Sequence, residues 1–382
     1  MSQRGIDPVG FAEKVLALLE LGSFSATYKY ALFTAIMDLC LESATRPSTD
    51  GTVITTRQLA ERVVELYWQH ATPYEGGPVL RQGGVRTGNQ AEILSAISDF
   101  RALYAGEAGV SPFRARLAHP DAFDALVHKV EWKLIEMPIP RLQIVGREED
   151  RFLYEYSWSQ TIPRREVAAY QRGAASSFDN RLLLKPGVAE AIKAVVGILR
   201  PLVRREWSVM VAAMNGLPET KLEAFMFGAS RVQLDAVRLP LRDLHDNRCF
   251  YCDGRMDAKV DVDHFIPWAR YADNGLDNLV PCHPKCNNQK RDFIAAENHL
   301  ERWGGRIAER SPELSQIALD CYWFRDPLRT VAVARSIYSR LPDGARLWLS
   351  GNELIPADRE RVGVAFRSFS NPSGGKADSR SD

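Results

Sequence analysis

Four of the six cysteines in this 382-residue chain fall between positions 249 and 286, and no other feature constrains the fold as much. They lie in "RCFYCDGRMDAKVDVDHFIPWARYADNGLDNLVPCHPKCNNQKRDF", residues 248–293. Cys249 and Cys252 form a C-x2-C knuckle, and Cys286 follows some thirty residues later, with Cys282 and His283 just before it. Thiolates suit zinc, and a structural zinc site takes four ligands in a closed tetrahedron. Cys249, Cys252 and Cys286 supply three. The fourth is either Cys282, at C-x3-C spacing, or His283, whose H-x2-C spacing mirrors the first knuckle and favours it. A segment with so few aliphatic residues has little core of its own, which a metal cross-link would offset. Six cysteines in a chain this long are too few for a disulfide scaffold. Cys40 and Cys321 stand alone in apolar, helical-looking sequence and are read as buried structural thiols.

Between the two halves of the cluster, "KVDVDHF" alternates apolar and polar residues and predicts a strand. Asp261, Asp263 and Phe265 then share one face, while Val262 and His264 share the other. Pro267 ends regular pairing, and "YADNGLDNL" supplies a loop. Pro284 suits the first turn of a helix that continues through "KCNNQKRDFIAAEN". On that helix Cys286 and Asn287 point about 100° apart, so one can face a zinc while the other faces elsewhere. Asn287, Lys290 and Arg291, at i, i+3 and i+4, line one side.

The ordered series Cys-x2-Cys, Asp-His-x-x-Pro, Asp-Asn-Leu and Cys-Asn-x-x-Lys, over residues 246–295, resembles an HNH endonuclease. Asn287 takes the final position of the name-giving triplet, a variant that family uses in place of His. The resemblance implies a ββα-metal core and a set of roles. His264 would be the general base, since an imidazole titrates near neutral pH. Asp263 and Asn287 would offer oxygens to Mg2+ or Mn2+, and Asn278 would tie the loop and orient the base. Lys290 and Arg291 would meet the substrate's phosphates, with a solvated lysine as the alternative for Lys290. Asp261 would support the strand end or be a plain surface aspartate. The implied substrate is DNA, with RNA left open.

The rest of the chain reads mainly as helix. "GFAEKVLALLELG" and "SFSATYKYALFTAIMDLCLES" are amphipathic, and "TVITTRQLAERVVELYWQH" gives a short strand and then a capping box, Thr55 with Gln58. "TTRQLAE" could open a helix-turn-helix, although a capped helix in a bundle is the plainer reading. Arg81 and Arg86 in the glycine-rich loop, and Arg200, Arg204 and Arg205 in the helix from about 187, are candidate phosphate contacts or solvated charges. "RLQIVG" and "RFLYEYSW" flank "REED" as a β-hairpin with a charged turn. The expected organisation is an N-terminal helical domain (1–135), a hairpin and helical connection (136–240), the HNH-like core (241–300), a C-terminal helical region (301–366) and a disordered polar tail (367–382). The expected fold class is mainly α with a small α+β module, its ββα-metal core and zinc knuckle flanked by helical regions and one β-hairpin.

Charge narrows the functional classes. A formal net charge of +1 gives no global basic field, which argues against abundant non-specific nucleic-acid binding. It fits a nuclease targeted by a protein partner, as in a restriction or anti-phage assembly; the alternative, a non-catalytic zinc-stabilised nucleic-acid-binding module, rests on "TTRQLAERV" and the cysteine cluster. The N-terminus lacks the pattern of a secretory leader and no stretch reaches the ~20 apolar residues a bilayer requires. No membrane partner and a cytoplasmic location are therefore expected.

Overall fold

The computed structural model describes residues 6–21, 26–43, 52–84, 89–105, 110–159, 161–219, 222–228, 234–257 and 259–369. Arg86 and all but the first three residues of the expected tail lie outside them. The chain is mostly helical with small sheets, and it divides into two compact units. One comprises residues 1–41 and 46–232, the other residues 42–45 and 233–382. No described helix is long and apolar enough to cross a membrane.

In the first unit the order is α1 (Pro8–Leu21), α2 (Tyr28–Glu42), β1 (Val53–Thr55), α3 (Thr56–Trp68), α4 (Glu92–Phe100), α5 (Pro112–Ala118), α6 (Pro120–Glu136) and α7 (Pro138–Arg141). It continues with β2 (Ile144–Val145), β3 (Glu148–Glu149), β4 (Tyr154–Tyr156), α8 (Arg164–Gln171), β5 (Arg181–Leu184), α9 (Val188–Asn215) and α10 (Leu222–Phe227). The capping box forms as the sequence predicts. Thr55 Oγ1 accepts from the Gln58 N–H at 3.2 Å, and Gln58 Oε1 accepts from the Thr55 N–H at 2.9 Å. Such a cap contributes about 1 kcal/mol. The α3 face carrying Leu59, Val63 and Tyr67 is then fully buried. Cys40 is buried on α2, as expected.

Two expectations about this unit need correction. The hairpin turns at Gly146 and Arg147, so only the first residue of "REED" lies in the turn. Gly146 supplies the left-handed φ of 64°, so Glu148 and Glu149 become strand β3, paired with β2. The "YEY" strand instead joins a three-stranded antiparallel sheet in the order β1-β5-β4. The buried Gln143 side chain explains the parting. Its Oε1 accepts from the N–H groups of Leu153 (2.7 Å) and Tyr154 (3.2 Å), and its amide donates to the Tyr154 carbonyl. Those backbone groups are thus satisfied without a partner strand. The second correction concerns Arg200, which is 2% exposed and pairs with Asp38 at 2.6 Å; it faces the core and cannot meet a phosphate.

The second unit runs α11 (Asp235–Leu244), β6 (Asp261–His264), β7 (Leu279–Cys282), α12 (Pro284–Lys290), α13 (Glu297–Glu309), α14 (Ser311–Asp320), α15 (Pro327–Tyr338), β8 (Arg346–Ser350), β9 (Glu353–Pro356) and α16 (Arg359–Ser368). Its core is aromatic. Phe265 stacks on Trp303 at 4.8 Å, and Tyr251 meets Trp348 edge-on at 5.1 Å. The antiparallel hairpin β8–β9 departs from the expected all-helical C-terminal region. It docks on the main chain beyond α12, where the Trp348 N–H donates to Ile294 and the Ala296 N–H to Trp348. Cys321 is only half-buried, unlike the expectation for it.

Candidate metal centre and strand-end site

The loop after α11 closes on itself before it reaches any metal. The Cys249 N–H donates to the Gly254 carbonyl and the Asp253 N–H to the Cys249 carbonyl, both at 2.9 Å. This turn brings Cys252 back over the start of α12. A side chain at Gly254 would crowd two of the cluster's donors, the His283 ring at 3.3 Å and Cys252 Sγ at 3.4 Å. The outcome is a group of four donors, Cys249, Cys252, His283 and Cys286, whose ligand atoms all lie within 4.8 Å of one another. His283 Nε2 lies 3.0 Å from the Arg255 carbonyl and Nδ1 lies 3.3 Å from Cys252 Sγ. The carbonyl takes the Nε2 proton and leaves the Nδ1 lone pair for the cluster, the outer-shell arrangement of a metal-ligating histidine.

Electrostatics points the same way. Burial, then the neighbouring charges of Cys249 and Cys252, push the Cys286 thiol up to about 12. Three thiolates cannot gather here without a cation to offset their repulsion. Cys282 lies outside the group. It is fully buried on β7 opposite Asp261, and burial drives its thiol far above the usual range. The set Cys249, Cys252, His283 and Cys286 could therefore bind zinc, whose structural sites take this donor chemistry.

Next to the cluster the two strands pair in antiparallel register, Asp261 with Cys282, Asp263 with Val280 and His264 with Leu279. Beyond His264 the pairing is completed by a side chain. Asn278, fully buried, accepts the Ile266 N–H on Oδ1 at 2.7 Å and donates its amide to the carbonyls of Ile266 and Asp273. The strand end and the 273–278 loop are thus stitched together across Pro267.

Residues 249–296 match a family model described as HNH endonuclease. Residues 10–225, more than half of the chain, match one described as a domain of unknown function, DUF8808. The chain belongs to the DUF8808 family and carries an HNH endonuclease domain. No curated protein and no solved structure matches it. The HNH domain suggests a nuclease-type function on a nucleic-acid substrate.

Within the HNH domain the sequence-predicted residues sort into three contacts. Asn287 donates its amide to Asp261 Oδ2 at 3.1 Å. Asp263 Oδ2 accepts from the Tyr251 hydroxyl at 2.5 Å and from Lys290 Nζ at 2.9 Å. His264 Nε2 lies 2.8 Å from Asn274 Oδ1, and its ring leans on Trp268 at 5.2 Å. Burial lowers the His264 imidazole below its ordinary value, partly countered by the Asn274 bond and the charges of Asp263 and Asp273. Tyr251 is raised far above a usual phenol by burial and then by the Asp263 charge, so it stays neutral and donates.

Lys290, expected to meet a phosphate, is instead fully buried. Its ammonium is held by Asp263 and by the His264 carbonyl at 2.9 Å. The two carboxylates of β6 lie under α12, so the helix turns a positive charge inward. Arg291 follows at φ 49°, where α12 ends, and remains exposed. It therefore shares no open face with Lys290. Replacing Lys290 by methionine is expected to cost roughly 3 kcal/mol in thermal or urea unfolding, because it strands a buried carboxylate. Adding Asp263→Asn to that variant should recover part of the loss, whereas additive losses would show that the pair is not coupled.

Sequence reasoning passed over four residues here: Tyr251, between the two knuckle cysteines, Trp268, and Asp273 and Asn274 in the turn. Only the "DNG" turn signal marked any of them.

Proposed function

We propose that the HNH domain hydrolyses phosphodiester bonds in DNA with a divalent cation, His264 acting as general base. The observation that carries this reading is the ordered set Asp263, His264, Asn278 and Asn287 inside the matched segment, on β6, in the turn that leads into β7 and on α12 of one hairpin–helix unit. We read that unit as a ββα-metal core.

The donor chemistry fits a hard cation. Among the described residues, hydrogen bonding occupies Asp263 Oδ2 and the Asn287 amide nitrogen. The second carboxylate oxygen and the Asn287 carbonyl oxygen are left as donors of the kind Mg2+ or Mn2+ takes. Asp263 and Asn287 would hold the ion, which supplies Lewis-acid stabilisation of the charge on the phosphate and on the leaving 3′ oxygen. The chain's own residues do the rest. The neutral His264 ring accepts the proton of the attacking water. Asn278 holds the strand end so that the ring and the Asp263 carboxylate keep their spacing. Lys290 orients Asp263 from behind. Cys249, Cys252, His283 and Cys286 would hold Zn2+, which supplies a structural cross-link beside α12.

A second reading, a non-catalytic zinc-stabilised nucleic-acid-binding module, is favoured by one feature. The Lys290–Asp263 pair neutralises the carboxylate that a catalytic cation would require. Purified protein incubated with supercoiled, linear and single-stranded DNA and with RNA, in Mg2+, Mn2+ or EDTA, separates the two. Cleavage of DNA that EDTA abolishes is the expected result. Salt-sensitive binding with no cleavage under any cation would overturn the catalytic reading and leave the second.

The biological setting we propose is restriction or anti-phage defence. The near-neutral chain offers no global field for finding DNA, so targeting falls to a partner protein docked on the DUF8808 unit.

A further inference from the structure

We propose that Asn274 is the positioning residue that sets the tautomer of His264, holding the proton on Nε2 so that Nδ1 presents the lone pair that accepts the proton of water. The inference rests on the reading of His264 as the base. An imidazole has two inequivalent nitrogens, and the bond made by one decides what the other can do. Asn274 offers its carbonyl oxygen to Nε2 at 2.8 Å. An oxygen acceptor requires a donor opposite it, so Nε2 carries the hydrogen and Nδ1 does not.

The surroundings of Asn274 anchor the main chain that carries it. Its own main-chain carbonyl accepts the Trp323 indole N–H at 2.6 Å. The preceding residue, Asp273, is 1% exposed. Asp273 Oδ1 accepts the Gly275 N–H at 2.8 Å and the Arg329 guanidinium at 3.4 Å, and Oδ2 accepts the Thr330 hydroxyl at 3.1 Å. From the other direction Asn278 donates to the Asp273 carbonyl at 3.0 Å. Even Gly275 belongs to the arrangement, since a Cβ there would meet Asp273 Oδ1 at 2.9 Å. An asparagine of an ordinary surface turn has no use for anchors on both flanks. Here they aim one amide oxygen at one ring nitrogen, while Trp268 backs the ring. In the reaction the water's proton goes to Nδ1, its oxygen bonds to phosphorus and the 3′ oxygen leaves. The Nε2–H stays on its nitrogen, and its bond to Asn274 strengthens as the ring becomes cationic.

The test uses the full chain labelled with 15N-histidine, with the His264 signals identified by their loss in His264→Ala. Long-range 1H–15N correlations at mildly alkaline pH should show wild-type His264 as the Nε2–H tautomer. Asn274→Ala should mix the tautomers and lower kcat for DNA cleavage about 10- to 100-fold with KM unchanged. Asn274→Asp, which keeps an oxygen acceptor in place, should restore the Nε2–H signature and most of kcat. An Asn274→Ala protein that keeps both the Nε2–H tautomer and the wild-type kcat overturns the inference, even where His264→Ala is inactive. Equal cleavage by His264→Ala and wild type removes the general-base reading instead, and the tautomer spectra still decide whether Asn274 controls the ring.

Discussion

Cys286→Ser is expected to abolish stoichiometric zinc binding and to lower the thermal stability of the second unit by several kcal/mol, while Cys282→Ser should keep its zinc. Structural zinc contributes about 10–16 kcal/mol in small modules that have no other core. This unit has one, built on Phe265, Trp303 and Trp348, so the dependence should be smaller but still dominant near the knuckle. The contrast between the two cysteines is the discriminating part. Cys286 belongs to the four-donor group, whereas Cys282 is a fully buried β7 residue that packs as a small apolar side chain. Metal analysis of the two purified variants and calorimetry of wild type before and after chelation check the outcome. Zinc lost from Cys282→Ser and kept by Cys286→Ser would reverse the ligand assignment. An unchanged calorimetric transition after complete chelation would remove the structural role of the metal.

What the sequence makes legible follows from how local each signal is. The C-x2-C knuckle, the capping box at Thr55 and the strand at Asp261–His264 depend on neighbours a few residues away, and all three are present. Lys290 is different. Helical spacing places it near Asn287 and Arg291, but spacing alone cannot say which side of a seven-residue helix is covered. The answer lies in β6, whose two carboxylates sit beneath the helix and draw the ammonium inward. The hairpin around Gly146 was displaced by a side-chain acceptor, Gln143, that no alternation pattern encodes. The β8–β9 hairpin did carry a signal, the short apolar runs Leu347–Leu349 and Leu354–Ile355 on either side of the turn pair Gly351–Asn352, but apolar runs this short do not separate strand from helix. Asn274 and Asp273 had no more than a turn pattern. Their roles depend on Trp323, Arg329 and Thr330, some fifty residues further along the chain.

His264→Ala is expected to lower the rate of cation-dependent DNA cleavage by about 10²- to 10⁴-fold, the range a positioned general base supplies. At about 1.4 kcal/mol per decade, that is a barrier increase of roughly 3–5 kcal/mol. The imidazole is suited to this effect because it is 8% exposed, uncharged by burial and fixed by Asn274 and Trp268. Removing it leaves Asn274 Oδ1 without its partner, which costs about 1–3 kcal/mol of stability. Melting curves must therefore accompany the kinetics, and His264→Gln, which fills more of the space and keeps a donor for Asn274, separates lost chemistry from lost structure. Both variants should retain zinc, because His264 is not one of the four donors. They should also bind DNA as wild type does, since the base acts on water and not on the duplex. A loss of cleavage that tracks a loss of folding or zinc would assign His264 to the fold. Cleavage at the wild-type rate by either well-folded variant would leave the strand-end site without its base and return the HNH domain to the binding-module reading.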